Sequence, residues 1–115
     1  PFTSVKMLNE TIKLIGMPKL NAQIIITLPN INEFNEQLKN SIHCSKNEIE
    51  CFIITTSSKN EIENIIKEFD LNESIMSNDF RSIAKTFNLD DKENKLIKSL
   101  ILINKDCQII HKEIL

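Results

Sequence analysis

Apolar and polar positions along this chain are organised around one stretch, Gln23 to Ile42 (QIIITLPNINEFNEQLKNSI). Ile24, Ile25, Ile26 and Leu28 form a short, largely β-branched run, the pattern of a strand buried on both faces. Pro29 ends that run because it has no N–H to give to a sheet ladder. Asn30 then offers an N-cap, and Glu33, three residues on, completes a capping box. From there Ile31, Phe34, Leu38 and Ile42 recur at helical spacing, so the pattern predicts strand, tight turn and helix. The free amides at such a helix start are a common place for chemistry in α/β proteins.

The rest of the chain reads as cover for this unit. Ser4 to Leu8 and Thr11 to Ile15 flank Asn9-Glu10 and predict a β-hairpin, followed by a loop carrying Gly16, Pro18 and Asn21. His43 to Glu50 is polar and predicts a helix end plus loop. Cys51 to Thr56 is a second buried strand, after which Ser58 and Glu61 form a capping box for a helix with Ile62, Ile65, Ile66 and Phe69 on its apolar face. Asp70 to Asn78 is rich in turn residues, with a stub of strand at Ile75-Met76. Phe80, Ile83, Ala84 and Phe87 mark a short helix, and Asp90 to Asn94 a solvated, charged loop. Ser99 to Ile103 and Gln108 to Ile114 surround a turn at Asn104 to Cys107 and predict a closing hairpin. This order implies a single α/β domain over residues 1–115 with strands running in both directions.

Composition narrows the function classes. A length of 115 residues supports one modest core. The net charge of −2 gives no basic footprint for nucleic acid or for an anionic membrane surface, and no apolar run is long enough to span a bilayer. The N-terminus lacks the apolar region of a signal peptide and also an initiator Met, as in a processed or trimmed start. Cys44, Cys51 and Cys107 are odd in number and lack the spacing of a disulfide framework or a zinc site. Together these features lead to the expectation of a reducing, cytoplasmic compartment, with no metal and no cofactor. With one glycine in the chain, a phosphate-binding Gly loop is excluded.

Several strings, in this order, resemble one family: the atypical two-cysteine thiol peroxidases, a branch of the peroxiredoxins built on a thioredoxin fold. Val5 to Gly16 is similar to their N-terminal hairpin, here about residues 4–16. Ile26 to Asn40 falls where the family has its Pro-Ser-Ile-Asp-Thr-x-x-Cys turn and helix. Ile53 to Ser57 matches the following strand, Asn78-Asp79-Phe80-Arg81 resembles Ser-Asp-Phe-Arg, and Leu100 to Leu115 is similar to the final hairpin. The resemblance implies a thioredoxin-like three-layer fold with a mixed central sheet. It also implies that the fold is incomplete, lacking an internal segment after the first hairpin and a closing helix.

The departures decide the chemistry that the resemblance can carry. Pro29 holds the family pattern, but the family's Thr falls on Glu33, its peroxidatic Cys on Glu36 and its active-site Arg on Lys98. The helix expected to hold the resolving Cys contains none, so no catalytic residue carries over. A carboxylate at Glu36 suits a helix start but cannot be oxidised to a sulfenic acid and recycled. Lys98 keeps the charge without the planar fork of an Arg. A Glu36–Lys98 ion pair is the expected filling of a vestigial site made of Pro29, Glu33, Glu36 and Lys98. Glu33 and Glu36 otherwise read as a solvated acidic first turn.

Two readings of different class follow. In the first, the chain is a thiol-peroxidase homologue without peroxidase activity that binds or scaffolds, with a second copy or another protein as its partner. In the second, it is a residual thiol-dependent peroxide reductase or redox sensor using Cys44, Cys51 or Cys107. The bland alternative for Cys44 and Cys51 is small core filler, and for Cys107 an exposed turn thiol. His43 and Cys44 are neighbours on a helix and point apart, and His111 has no evident partner.

Overall fold

The computed structural model describes residues 2–16, 22–45, 49–93, 95–106 and 108–115, without the side chains of 43–45. The expected connecting loop over 17–21 therefore lies outside the described residues. The chain opens on an antiparallel hairpin, β1 (Thr3–Lys6) and β2 (Ile12–Ile15). Its turn is closed by Asn9, whose Oδ1 accepts from the Thr11 amide at 3.1 Å, while Glu10 takes a positive φ of 71°. Asn at a turn accepts its own backbone two residues on, which is why this pair turns without a glycine.

Strand β3 (Ala22–Leu28) is the centre of a five-stranded sheet with β4 (Ile49–Thr55), β5 (Met76–Ser77), β6 (Ser99–Ile103) and β7 (Ile109–Ile114). The order across the sheet is β5-β4-β3-β6-β7. β3 pairs in parallel with β4 and antiparallel with β6, and β7 closes the far edge antiparallel to β6. The mixed directions expected from the element order are present.

Both faces of the sheet are covered, giving three layers. On one face, Ile26, Leu28, Cys51, Ile53 and Met76 pack against Ile62, Ile65 and Phe69 of α2 (Lys59–Phe69), with Leu38 and Ile42 of α1 (Glu36–Ser45) at the margin. On the other, Ile25, Phe52, Ile54, Ile101 and Ile103 meet Val5, Met7 and Ile15 of the hairpin and Ile83, Ala84 and Phe87 around α3 (Arg81–Thr86). Each fully buried aliphatic side chain is worth about 1.5–3 kcal/mol of apolar transfer, so these two clusters supply the driving force.

Polar groups fix the hairpin to the sheet. Gln23 is 1% exposed. Its Oε1 accepts from the Gly16 amide at 2.8 Å, and its Nε2 donates to the Leu14 carbonyl at 3.3 Å. At the other end, Ser77 Oγ donates to the Lys6 carbonyl and Asp79 Oδ2 accepts from the Lys6 amide. A buried amide side chain left unpaired would be costly; here both ends of Gln23 are used.

One expectation needs correction. The segment after Pro29 is not one helix with an Asn30/Glu33 capping box. Asn30 accepts from the Asn32 amide and opens a 3-10 turn, Ile31–Glu33, and Phe34 then returns to extended backbone with ψ 138°. Helix α1 starts afresh at Glu36, and Asn35 Oδ1 accepts from the Leu38 amide at 2.9 Å. A second Asn with its own capping geometry competed successfully with the first.

The box at Ser58 does form: Ser58 Oγ accepts from the Glu61 amide and Glu61 returns to the Ser58 amide. Ser58→Ala is expected to lower stability by about 1 kcal/mol. A thermal melt by circular dichroism should then show the midpoint falling by roughly 4 °C.

Candidate functional site

The site region lies where β3 ends, at the C-terminal edge of two parallel strands. This is the usual location of ligand sites in open α/β sheets. Pro29 terminates β3, and the turn behind it is held from β4. Thr56 Oγ1 donates to the Pro29 carbonyl at 2.6 Å, and Ser57 Oγ accepts from the Ile31 amide at 2.9 Å. Ser57 is itself buried and its amide donates to Thr55 Oγ1. Ile31 and Phe34 point into the core, with Phe34 edge-on to Phe69 at 5.0 Å between ring centroids. The turn is therefore anchored on both its polar and its apolar side.

Of the four residues mapped to this region, the structure joins two. Lys98 Nζ lies 3.0 Å from Glu33 Oε2, with the two side chains 34% and 40% exposed. The expected partner, Glu36, is one turn further on, exposed at the start of α1. The extended backbone at Phe34 separates the 3-10 turn from the helix, so the two carboxylates no longer share one helical face. Glu33 takes the cation; Glu36 stays at the solvated helix start, where its charge opposes the positive end of the dipole. Pro29 is half-buried and positions the turn instead of meeting either charge.

Lys98 sits just before β6, whose first residue is buried. Ser99 Oγ hydrogen-bonds Thr27 Oγ1, and Thr27 also donates to the Ile97 carbonyl at 2.8 Å. These bonds hold the Lys98 backbone, which also accepts the Leu115 amide. Beside it runs a shallow groove of about 330 Å³ between α1 and the β6–β7 hairpin, lined by Leu38, Ser41, Leu100, Glu113 and Leu115 among others. Nothing in the sequence pattern announces the Thr56 and Ser57 anchors except the polar run that follows the second buried strand.

Of the candidate redox thiols, Cys51 is the one whose side chain the structure describes. Cys51 is 9% exposed and packs on the helix-covered face of β4, and burial pushes its thiol up to about 12 from an ordinary 9.0. At neutral pH such a thiol is protonated and a poor nucleophile. The Cys44 side chain and Cys107 lie outside the described residues. Among the described residues, no group of three or more His, Cys, Asp or Glu side chains is arranged to hold a metal ion. Among the described residues, no helix is long and apolar enough to cross a membrane.

Three expected outcomes follow. A Cys44→Ser/Cys107→Ser variant, leaving Cys51 as its single thiol, should resist iodoacetamide at pH 8 while folded and react once unfolded. Because the folded state holds the Cys51 proton more tightly, this thiol's contribution to stability is complete below pH 9 and is lost as pH rises toward about 12. For the ion pair, Lys98→Ala should cost about 0.5 kcal/mol in urea titration at low salt, and less in high salt, because the pair is part-exposed.

The sequence matches no protein-family model and no curated protein. Solved structures do resemble it. A peroxiredoxin-like protein from Aquifex aeolicus superposes with a TM-score of 0.80 at 16% identity, over 100% of this chain and 72% of that one. A thiol peroxidase from Chromobacterium violaceum gives 0.74 at 14% identity, over 100% and 73%. The reduced 2-Cys peroxiredoxin of Plasmodium vivax gives 0.64 at 14%, over 100% and 82%. The chain therefore has the thioredoxin-like fold of peroxiredoxins and thiol peroxidases.

Proposed function

We propose that this chain is a thiol-peroxidase homologue that has kept the scaffold and lost the peroxide chemistry, and that it acts as a binding or scaffold domain. The observation that carries this reading is the Glu33–Lys98 pair at 3.0 Å. It occupies the turn where the family resemblance calls for a Thr and an active-site Arg. Glu36 stands where that resemblance calls for the peroxidatic Cys. Peroxide reduction needs a thiolate whose sulfur takes one peroxide oxygen as the O–O bond breaks, giving a sulfenic acid that a thiol reductant must return. A carboxylate has no such oxidation step. An ammonium already neutralised by Glu33 is also poorly placed to stabilise a thiolate.

The alternative, a relocated redox thiol, draws no support from Cys51, which is buried and protonated at neutral pH. The binding role is supported by exposed apolar side chains at the two ends of the fold. These are Phe2, Ile12 and Leu14 on the hairpin, and Ile109, Ile110, Ile114 and Leu115 at the far edge of the sheet.

Hydrogen peroxide consumption by the purified protein with dithiothreitol or thioredoxin is expected to stay at the free-thiol background. Single Cys→Ser variants at positions 44, 51 and 107 should leave that background essentially unchanged; turnover that one of them abolished would overturn the proposal. A Glu36→Cys/Lys98→Arg variant is expected to form a peroxide-dependent sulfenic acid at position 36, trapped by dimedone and identified by mass spectrometry.

A further inference from the structure

We infer that the outer face of the β1–β2 hairpin, together with the exposed side of α3, is a docking surface for an acidic amphipathic helix of a partner protein. The inference names a partner class for the binding role proposed above and rests on that reading. Its test involves no peroxide, so the two can fail separately.

The strand register sorts the hairpin's side chains. Thr3 opposes Ile15 and Val5 opposes Lys13, and Val5 and Ile15 are fully buried against the sheet. Ser4, Lys6, Ile12 and Leu14 therefore point the other way, toward solvent, and Phe2 falls on their side by the same alternation. The solvated face of an antiparallel pair normally reads polar. Here Phe2, Ile12 and Leu14 stand on it at 58%, 61% and 40% exposure. They add nothing to the core beneath them, and clustered exposed apolar side chains mark a contact surface.

Helix α3 extends this face and gives it a charge. It lies against β1 and buries Ile83 and Ala84 in the same cluster as Val5. Its exposed residues, Arg81, Ser82 and Lys85, look outward in the same layer, and it carries no acidic residue. Among the described residues, Lys6, Arg81 and Lys85 have no carboxylate partner. Glu10 and Asp79 sit at the turn end, in a pocket shared with Lys6 and Lys59, and Asp79 already accepts the Lys6 amide at 2.9 Å. A chain with 16 acidic and 14 basic side chains thus keeps one face that is apolar on the hairpin and cationic along α3. Such a face steers and orients an acidic partner and repels a basic one.

The hairpin's edge does not serve as the docking element. Gln23 takes both the Leu14 carbonyl and the Gly16 amide, so a strand added beside β2 would meet groups already bonded. The face accepts a helix instead. Ile12 and Leu14 stand about 7 Å apart along β2, a gap that one apolar side chain of a helix fills while its i+3 and i+4 neighbours flank it. The surface is also preformed. Gln23 ties one end of the hairpin to the sheet and Ser77 Oγ, donating to the Lys6 carbonyl, ties the other, so binding does not have to order it.

Fluorescence anisotropy tests this with three labelled peptides of about five helical turns. They share one leucine stripe and carry Glu, Gln or Lys at every polar position. The Glu peptide should saturate with a Kd of about 100 µM or tighter, and the Gln peptide should bind about tenfold more weakly. The Lys peptide should not bind, and salt should weaken the Glu complex. Ile12→Ser/Leu14→Ser and Arg81→Glu/Lys85→Glu should each lower affinity for the Glu peptide about tenfold or more. Ile109→Ser/Ile110→Ser, at the far edge of the sheet, should leave it within about twofold. Circular dichroism should show every variant folded, since all the changed side chains are exposed. No saturation by the Glu peptide up to about 1 mM overturns the inference. So does equal affinity for the Glu and Lys peptides, or an affinity that neither the hairpin nor the α3 variant changes. Binding to phosphatidylserine vesicles with none to the Glu peptide assigns the face to a membrane and overturns it too.

Discussion

The structure depends on one seven-residue strand that must satisfy constraints on four sides at once. β3 donates and accepts in parallel with β4 along one edge and antiparallel with β6 along the other. Its alternate side chains fill two different cores: Ile26 and Leu28 go toward the helices, Ile25 toward the hairpin and α3. A one-residue slip would exchange those two sets and break both ladders together. That is why the segment tolerates so little polarity in its middle and why its polar residues sit at fixed places. Gln23 ties the hairpin, and Thr27 ties Ser99 and the Ile97 carbonyl. Everything at the candidate site inherits its position from where this strand stops.

That organisation was largely legible in the sequence because its signals are local and redundant. The apolar run before Pro29 and the run at Cys51 to Thr56 can be buried only in one way, as sheet centre. Ser58 with Glu61 forms the box that it spells, and Asn9 turns the hairpin that it flanks. The stub of strand anticipated near Ile75-Met76 is found one residue later, at Met76–Ser77. In each case local preference and tertiary burial agree.

The site was less legible, and the reason is specific. Ile31, Phe34, Leu38 and Ile42 satisfy helical spacing whether or not the helix is continuous, because a 3-10 turn followed by a capped helix delivers the same side chains to the core. Periodicity is blind to the break at Phe34. The break nevertheless matters for charge, since it places Glu33 within reach of Lys98 and leaves Glu36 at a separate helix start. Sequence spacing chose Glu36 as the partner of Lys98, and the structure gives that cation to Glu33 instead. The choice lies in Asn35, which accepts the Leu38 amide and so restarts the helix at Glu36.

The same geometry shows that the scaffold around the turn does not depend on a reacting group there. The turn is held by Thr56, Ser57, Ile31 and Phe34, none of which needs to react with anything. A carboxylate at the start of α1 serves the helix dipole as a thiolate would, because both are anions. Lys98 finds a counter-charge in the turn itself, so little local stability depends on a bound substrate. The fold is thus supported by residues separate from those a peroxidase would need. Likeness of fold at 16% identity therefore follows the first group and carries no information about the second. Where the two groups separate this cleanly, selection can hold the sheet and its edge while the chemistry at the turn drifts.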